Sequence, residues 1–155
     1  MNDSGPRTLD VILAWEQRLS ALTVVQNEVG GRIKARGTVQ EIKQPGMYWT
    51  ITSSRPDEVF RSTTVMWELW TTDRPFKSAV HSVHELEATV EKAMHRSLPI
   101  TLPIAQPAPA EPVAITMWSL LESSYDSDPS AANWSRKIMR FRYELIRLKP
   151  LAPEN

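Results

Sequence analysis

The stretch WSRKIMRFRYELIRL, Trp134 to Leu148, decides the fold class. It alternates like a strand. Arg136, Arg140 and Arg142 fall on one side, and Met139, Phe141, Tyr143 and Leu145 on the other, because successive side chains of a strand point to opposite faces of its sheet. One side is a packing face. The other is a row of guanidinium groups. No catalytic motif accompanies the row, and a surface of this kind is built to meet something, which points to assembly rather than chemistry.

Working outward, Val113 to Ser123 also has strand character, with Val113, Ile115, Met117 and Leu121 opposite Ala114, Thr116, Trp118 and Leu120. Between the two strands, Tyr125 to Asn133 is a polar loop containing Asp126, Asp128 and Pro129. Further upstream, GMYWTITS (Gly46 to Ser53) is rich in aromatic and β-branched residues, the composition of a strand. Ser54, Arg55, Pro56 and Asp57 make a turn, and Val59 to Thr71 returns as a long strand, giving a hairpin. The segment Val65 to Trp70 is apolar on both sides, as expected for a strand covered on both faces.

Two segments carry helical periodicity. Leu9, Ile12, Leu13, Leu19 and Leu22 place a helix over Thr8 to about Leu22, followed by a break at Gly30 and Gly31. Val80, Val83, Leu86, Val90, Ala93, Met94 and Leu98 place a second over about Pro75 to Ser97. Proline is acceptable in a first helical turn, where its missing donor is not needed. A short strand fits within Arg32 to Val39. The order is helix, short strand, hairpin, helix, hairpin. It predicts an α+β fold: an antiparallel or mixed β-sheet of four to five strands with two helices packed on one face.

The chain has 155 residues, enough for one domain with a real core and too few for two comfortable ones. The expected organisation is a flexible leader at 1–7, one domain over 8–149 and a short tail at 150–155. Within the domain, Pro99, Pro103, Pro107, Pro109 and Pro112 punctuate a connector at 99–112. Proline at this density favours an extended path without internal hydrogen bonds. Two readings of it stand level: an idle surface loop, and an arm lying on a neighbouring subunit.

Eighteen bases balance eighteen acids, which argues against a dedicated nucleic-acid binder. The balance hides an asymmetry. From Trp134 onward six bases against two acids leave +4, so residues 1 to 133 carry −4. Glu111 to Asp128 holds four acids and no base. Patches of opposite sign can be complementary between copies, and head-to-tail contacts close into rings when the rotation permits. Both can equally be solvated faces. The absence of cysteine excludes disulfides, thiolate metal sites and a cysteine nucleophile. MNDSGPRT lacks the basic and apolar regions of a signal peptide, and no apolar run approaches a membrane span.

Candidate chemistry is sparse. His81 and His84 lie three apart on the second helix, with His95 further along and no third ligand at suitable spacing, so they read as solvent-facing. There is no GxSxG turn, and Gly30-Gly31 lacks the spacing of a phosphate-binding loop. The carboxylate pairs Glu85 with Glu87 and Asp126 with Asp128 read as solvated charge. No catalytic, metal or cofactor site is expected, and the protein reads as a non-enzyme. The arginine row keeps three readings: contact with phosphates, pairing with an acidic segment of another subunit or a partner ring, and solvation. Zero net charge makes the first the weakest as a specific activity, leaving it as a lining for passing DNA.

Several strings in order resemble the tail terminator, or tail-completion, family of long-tailed bacteriophages with non-contractile tails. They are an N-terminal helix, VGGRI (Val29 to Ile33), GMYWTITS, WELWTTDR (Trp67 to Arg74), HELEATVEKAMHR (His84 to Arg96) and RKIMRFRYELIR (Arg136 to Arg147). The resemblance spans about Leu9 to Leu148. It implies an α+β subunit of a homo-hexameric ring that caps the head-proximal end of the tail tube. It further implies contacts with the tail tube protein, the head-completion or neck protein and the tape-measure protein. Genomic DNA would pass through the lumen without sequence-specific binding. The implied location is the head-tail junction of a virion assembled in host cytoplasm, with no membrane and no cofactor. A head-closure or neck adaptor is the alternative. Three surfaces are expected to work: Arg136, Arg140 and Arg142 at a subunit contact or the lumen; the hairpin tip with Arg55, Pro56, Asp57 and Glu58 against an axial neighbour; and the loop with Tyr125, Asp126 and Asp128 against another.

Overall fold

The first helical stripe folds as two helices. α1 runs Thr8–Ser20 and α2 runs Thr23–Val29 in the computed structural model, which describes residues 8–56, 60–95, 100–101, 114–127 and 133–147. The break is local chemistry. Ser20 turns its hydroxyl back to donate to the Gln17 carbonyl at 2.8 Å, and Leu22 takes an extended backbone. A hydroxyl bonded to nearby backbone competes with helix propagation. The Leu22 carbonyl then opens α2 by accepting from the Gln26 N–H. α2 stops at Gly30, whose φ of 61° suits a residue without a Cβ.

Among the described residues six strands follow: β1 (Ile33–Ala35), β2 (Gly46–Pro56), β3 (Phe60–Thr72), β4 (Ile100–Thr101), β5 (Ala114–Ser127) and β6 (Trp134–Arg147), with α3 (Ala79–Met94) between β3 and β4. Their order across the sheet is β1-β2-β3-β6-β5-β4. β1 runs parallel to β2, and every other pair is antiparallel. The α+β class and the mixed sheet follow the sequence expectation. The two-residue β4 adds an edge strand from within the proline-rich segment, pairing Ile100 with Thr116. The leader at 1–7, the rest of the connector and the tail at 150–155 lie outside the described residues.

β6, the stretch that announced a sheet, lies at its centre. It pairs with β3 from Thr72↔Trp134 to Phe60↔Ile146, and with β5 from Ser127↔Ser135 to Ala114↔Arg147. β3 has 13 residues and extends about 43 Å, whereas α3 has 16 and extends about 24 Å. The long strands therefore outrun that helix.

Register explains the core. Trp49, Trp67 and Met139 are partners across three strands, as are Val65, Phe141 and Leu120, so they share one side of the sheet. Strand residues of that side join Val11, Ile12, Trp15 and Leu19 of α1, Val25 and Val29 of α2, and Val83, Leu86, Val90 and Met94 of α3 in one apolar cluster. Each large side chain so buried contributes about 1.5–3 kcal/mol of transfer free energy. Trp15 meets Trp118 edge-on, with ring centroids 5.5 Å apart. Trp49 donates its indole N–H to Glu16 at 2.6 Å.

α3 begins later than its periodicity suggests. Ser78 caps it, accepting from the His81 N–H, and Asp73 accepts from the Ala79 N–H at 2.8 Å. The residues just before form a separate tight turn. Arg74 and Lys77 exchange backbone hydrogen bonds of 2.9 and 3.0 Å around Pro75 and Phe76. Phe76 sits at φ 68° with its side chain fully exposed. A left-handed backbone at a residue with a Cβ costs about 1–2 kcal/mol.

Candidate assembly surface

The side of the sheet away from the apolar cluster carries the arginines. Register puts Arg136 beside Trp70, Arg140 beside Met66 and Arg142 beside Thr64. The three arginines share one side of the sheet, as their alternation predicts, but the row is not uniform. Arg136 reaches the buried carboxylate of Glu68 at 3.4 Å and lies 5.1 Å over the Trp70 ring. Trp70 in turn meets Trp134, with centroids 5.3 Å apart. Arg36, from the turn after β1, approaches the other Glu68 oxygen at 3.4 Å. Arg142 is exposed and has no acidic partner among the described residues. Two half-buried tryptophans beside arginines have the composition of a protein contact.

The acidic stretch does not sit apart from this row. β5 is the neighbouring strand, and Glu122 is the register partner of Arg140, with 3.0 Å between carboxylate and guanidinium. The pair is close as ions but not aligned as a hydrogen bond, since the Arg140 Nε–H has no acceptor. Asp126 is likewise the register partner of Arg136. The sequence allowed the two charge sets to pair between copies or to be solvated; Glu122 and Arg140 instead meet within one chain.

The residues expected to face axial neighbours are placed differently from the sequence reading. Arg55 and Pro56 end β2, paired with Ser62 and Arg61, while Asp57 and Glu58 lie outside the described residues. Tyr125 and Asp126 belong to β5 rather than to a loop, and Asp128 lies outside the described residues. Tyr125 stacks on His84 of α3 at 5.3 Å, and the Lys137 ammonium lies 5.9 Å from its ring. Lys137 also pairs with Glu87 at 2.9 Å, fastening β6 to α3.

The histidines do not converge. His81 lies 3.6 Å from Glu85, His84 stacks on Tyr125, and His95 accepts from the Leu120 N–H through Nδ1 at 2.8 Å. Among the described residues no group of His, Asp or Glu is arranged to hold a metal ion. Glu28, which sequence reasoning passed over, is buried and bound by Arg74 at 2.8 Å and Lys77 at 2.7 Å. Lys77 also contacts Glu85 at 2.7 Å; hydrogen bonds to Glu28 and Glu85 raise its pKa, and the bond from Lys77 lowers that of Glu85. These pairs join α2, the turn and α3, a structural task. No described helix is long and apolar enough to cross a membrane.

This fold has a counterpart among solved structures. A chain of the virion of a native gene transfer agent particle superposes with a TM-score of 0.52 at 14% identity, covering 89% of this chain and 94% of that one. The likeness is one of fold. No family model and no curated protein sequence matches the chain.

Proposed function

We propose that this protein is a structural component of a phage or phage-like virion, whose copies form a hexameric ring that terminates the tail tube and joins it to the neck. The observation that carries the reading is the shared fold, which spans nearly the full length of both this chain and the gene transfer agent virion chain. The strings that resemble tail terminators supply the finer assignment. DNA passes through the bore, and the exposed Arg142 is suited to a weak, sequence-independent phosphate contact.

The physical task fits the molecule. Stopping a polymer requires one face that accepts the last tube ring and another that cannot accept a further one. Surface does this, without a reacting group. The buried carboxylates Glu28 and Glu68 are held by cations from other elements, as befits parts that fix surfaces in place.

Electron microscopy of the purified protein, alone and mixed with tail tubes, tests the reading. Sixfold rings seated on one tube end are expected. Twelvefold rings that ignore tubes would instead assign the chain to the neck as a head-closure adaptor. Monomers that ignore tubes would leave the fold without this function.

A further inference from the structure

Phe76 has no role in its own chain's core. Its ring is fully exposed, held out by a turn whose backbone it strains. The base of that turn is fixed, because Arg74 and Lys77 on either side are bound to the same buried carboxylate of Glu28. A strained residue persists only where its surroundings over-determine it, and such residues cluster at working sites. A rigid turn also presents a ring with little left to order on binding.

The matching feature lies at the other end of α3. Where α1 breaks, Trp15, Arg18, Leu19, Ala21 and Leu22 line a mainly apolar cavity of about 250 Å³ with Ala93 from the last turn of α3. An apolar cavity of about 150 Å³ is enough to hold benzene, so a phenyl ring fits. Arg18 lies 5.9 Å from the Trp15 ring and can cover the mouth. The sixteen residues of α3, about 24 Å, separate turn and cavity. Phe76 cannot fill the cavity of its own chain.

We infer that the Pro75–Phe76 turn of one copy docks in the cavity between α1 and α3 of the next copy. The inference rests on the ring reading and names the contact that makes the ring. Turn and cavity are unlike surfaces, so each copy keeps one free turn and one free cavity until the ring closes, which is the defining property of a head-to-tail contact.

Two substitutions in the full chain test it by sedimentation across a concentration series. Phe76→Ser removes the ring. Ala21→Arg fills the cavity from an exposed position, leaving the buried lining intact. Each variant alone is expected to lose assembly, with association at least tenfold weaker. An equimolar mixture of the two is expected to recover dimers and nothing larger, because the cavity of the first variant accepts the Phe76 of the second. Variants that form rings like the wild type would overturn this contact while the ring reading stands. Folded variants whose mixture yields no dimer would overturn it too. Wild-type chains that stay monomeric with and without tail tubes would overturn both.

Discussion

Glu122 on β5 faces Arg140 on β6 across the ladder, with 3.0 Å between their charged groups. Both side chains are substantially exposed, so this pair contributes about 0–1 kcal/mol to stability. Its larger consequence is to divide the arginine row. Arg140 already has a partner, whereas Arg142 is exposed and has no acidic partner among the described residues. Arg142→Glu is expected to reduce ring seating on tubes while circular dichroism is unchanged. Adding Arg140→Glu, which sets two carboxylates side by side, should deepen the defect and cost about 0.5 kcal/mol of stability. Normal assembly of the double variant, seen by electron microscopy, would remove the row from the assembly surface.

Glu28 anchors two cations from a single buried position. Truncating one partner of a buried pair costs about 3–5 kcal/mol when the other charge stays buried. Arg74 and Lys77 are 37% and 22% exposed and can rehydrate, so Glu28→Ala should cost less, about 2 kcal/mol. A fall of the urea midpoint with an unchanged slope would show it.

The Lys77–Glu85 contact sets a pH window. The lowered pKa of Glu85 gives stability that is present above its unfolded value, about 4.3, and is lost as pH falls through the folded value. The raised pKa of Lys77 gives stability present below about 10.4 and lost as pH rises through the folded value. Between these limits Lys77→Met should lower the melting temperature by a constant amount. Its difference from wild type should shrink below about pH 4. A difference that stays constant to pH 2 would exclude the ion pair as its source.

His95 ties the end of α3 to β5. The β5–β6 register slips between Leu120 and Glu122, and beside that slip the Leu120 N–H donates to His95 Nδ1 at 2.8 Å. A half-buried donor left without an acceptor costs about 1–3 kcal/mol, so His95→Ala should destabilise by about that much. His95→Asn, which offers another acceptor, should restore part of the loss. Hydrogen exchange at the Leu120 amide is the direct measurement, and unchanged protection in His95→Ala would show that the bond is not formed.

The sheet was legible because its strands alternate. Arg136, Arg140 and Arg142 fall on one side and Met139, Phe141 and Tyr143 on the other, as two-residue periodicity requires. The break between α1 and α2 was not, because Ser20 and Leu22 stop a helix through a local hydrogen bond and a backbone angle, which leave the apolar spacing intact. Long-range placement was legible only in part. The last two strands read as a hairpin, but their alternation does not give the register that sets Glu122 beside Arg140, so two patches of opposite sign read as separate surfaces. Phe76 gave one usable signal, a large apolar residue directly after proline where a chain turns. The cavity that matches it gave none, since Ala93 is remote from α1 in sequence and adjacent only in the fold.

Phe76 also permits a test that separates fold from function by sign. At φ 68° a phenylalanine is strained, whereas asparagine tolerates that backbone. Phe76→Asn should therefore leave the fold at least as stable as the wild type. A gain of about 0.5 kcal/mol, or about 1–2 °C in melting temperature, is expected. The same substitution removes the apolar ring, so self-association should fall. Stability up and assembly down is the pattern of a residue kept for contact at the expense of its own backbone. Calorimetry at concentrations where the wild type is monomeric reads the first half, and sedimentation at higher concentration reads the second. A lower melting temperature would mean that the ring packs against its own chain. Unchanged association would mean that the strain at Phe76 serves no contact between copies.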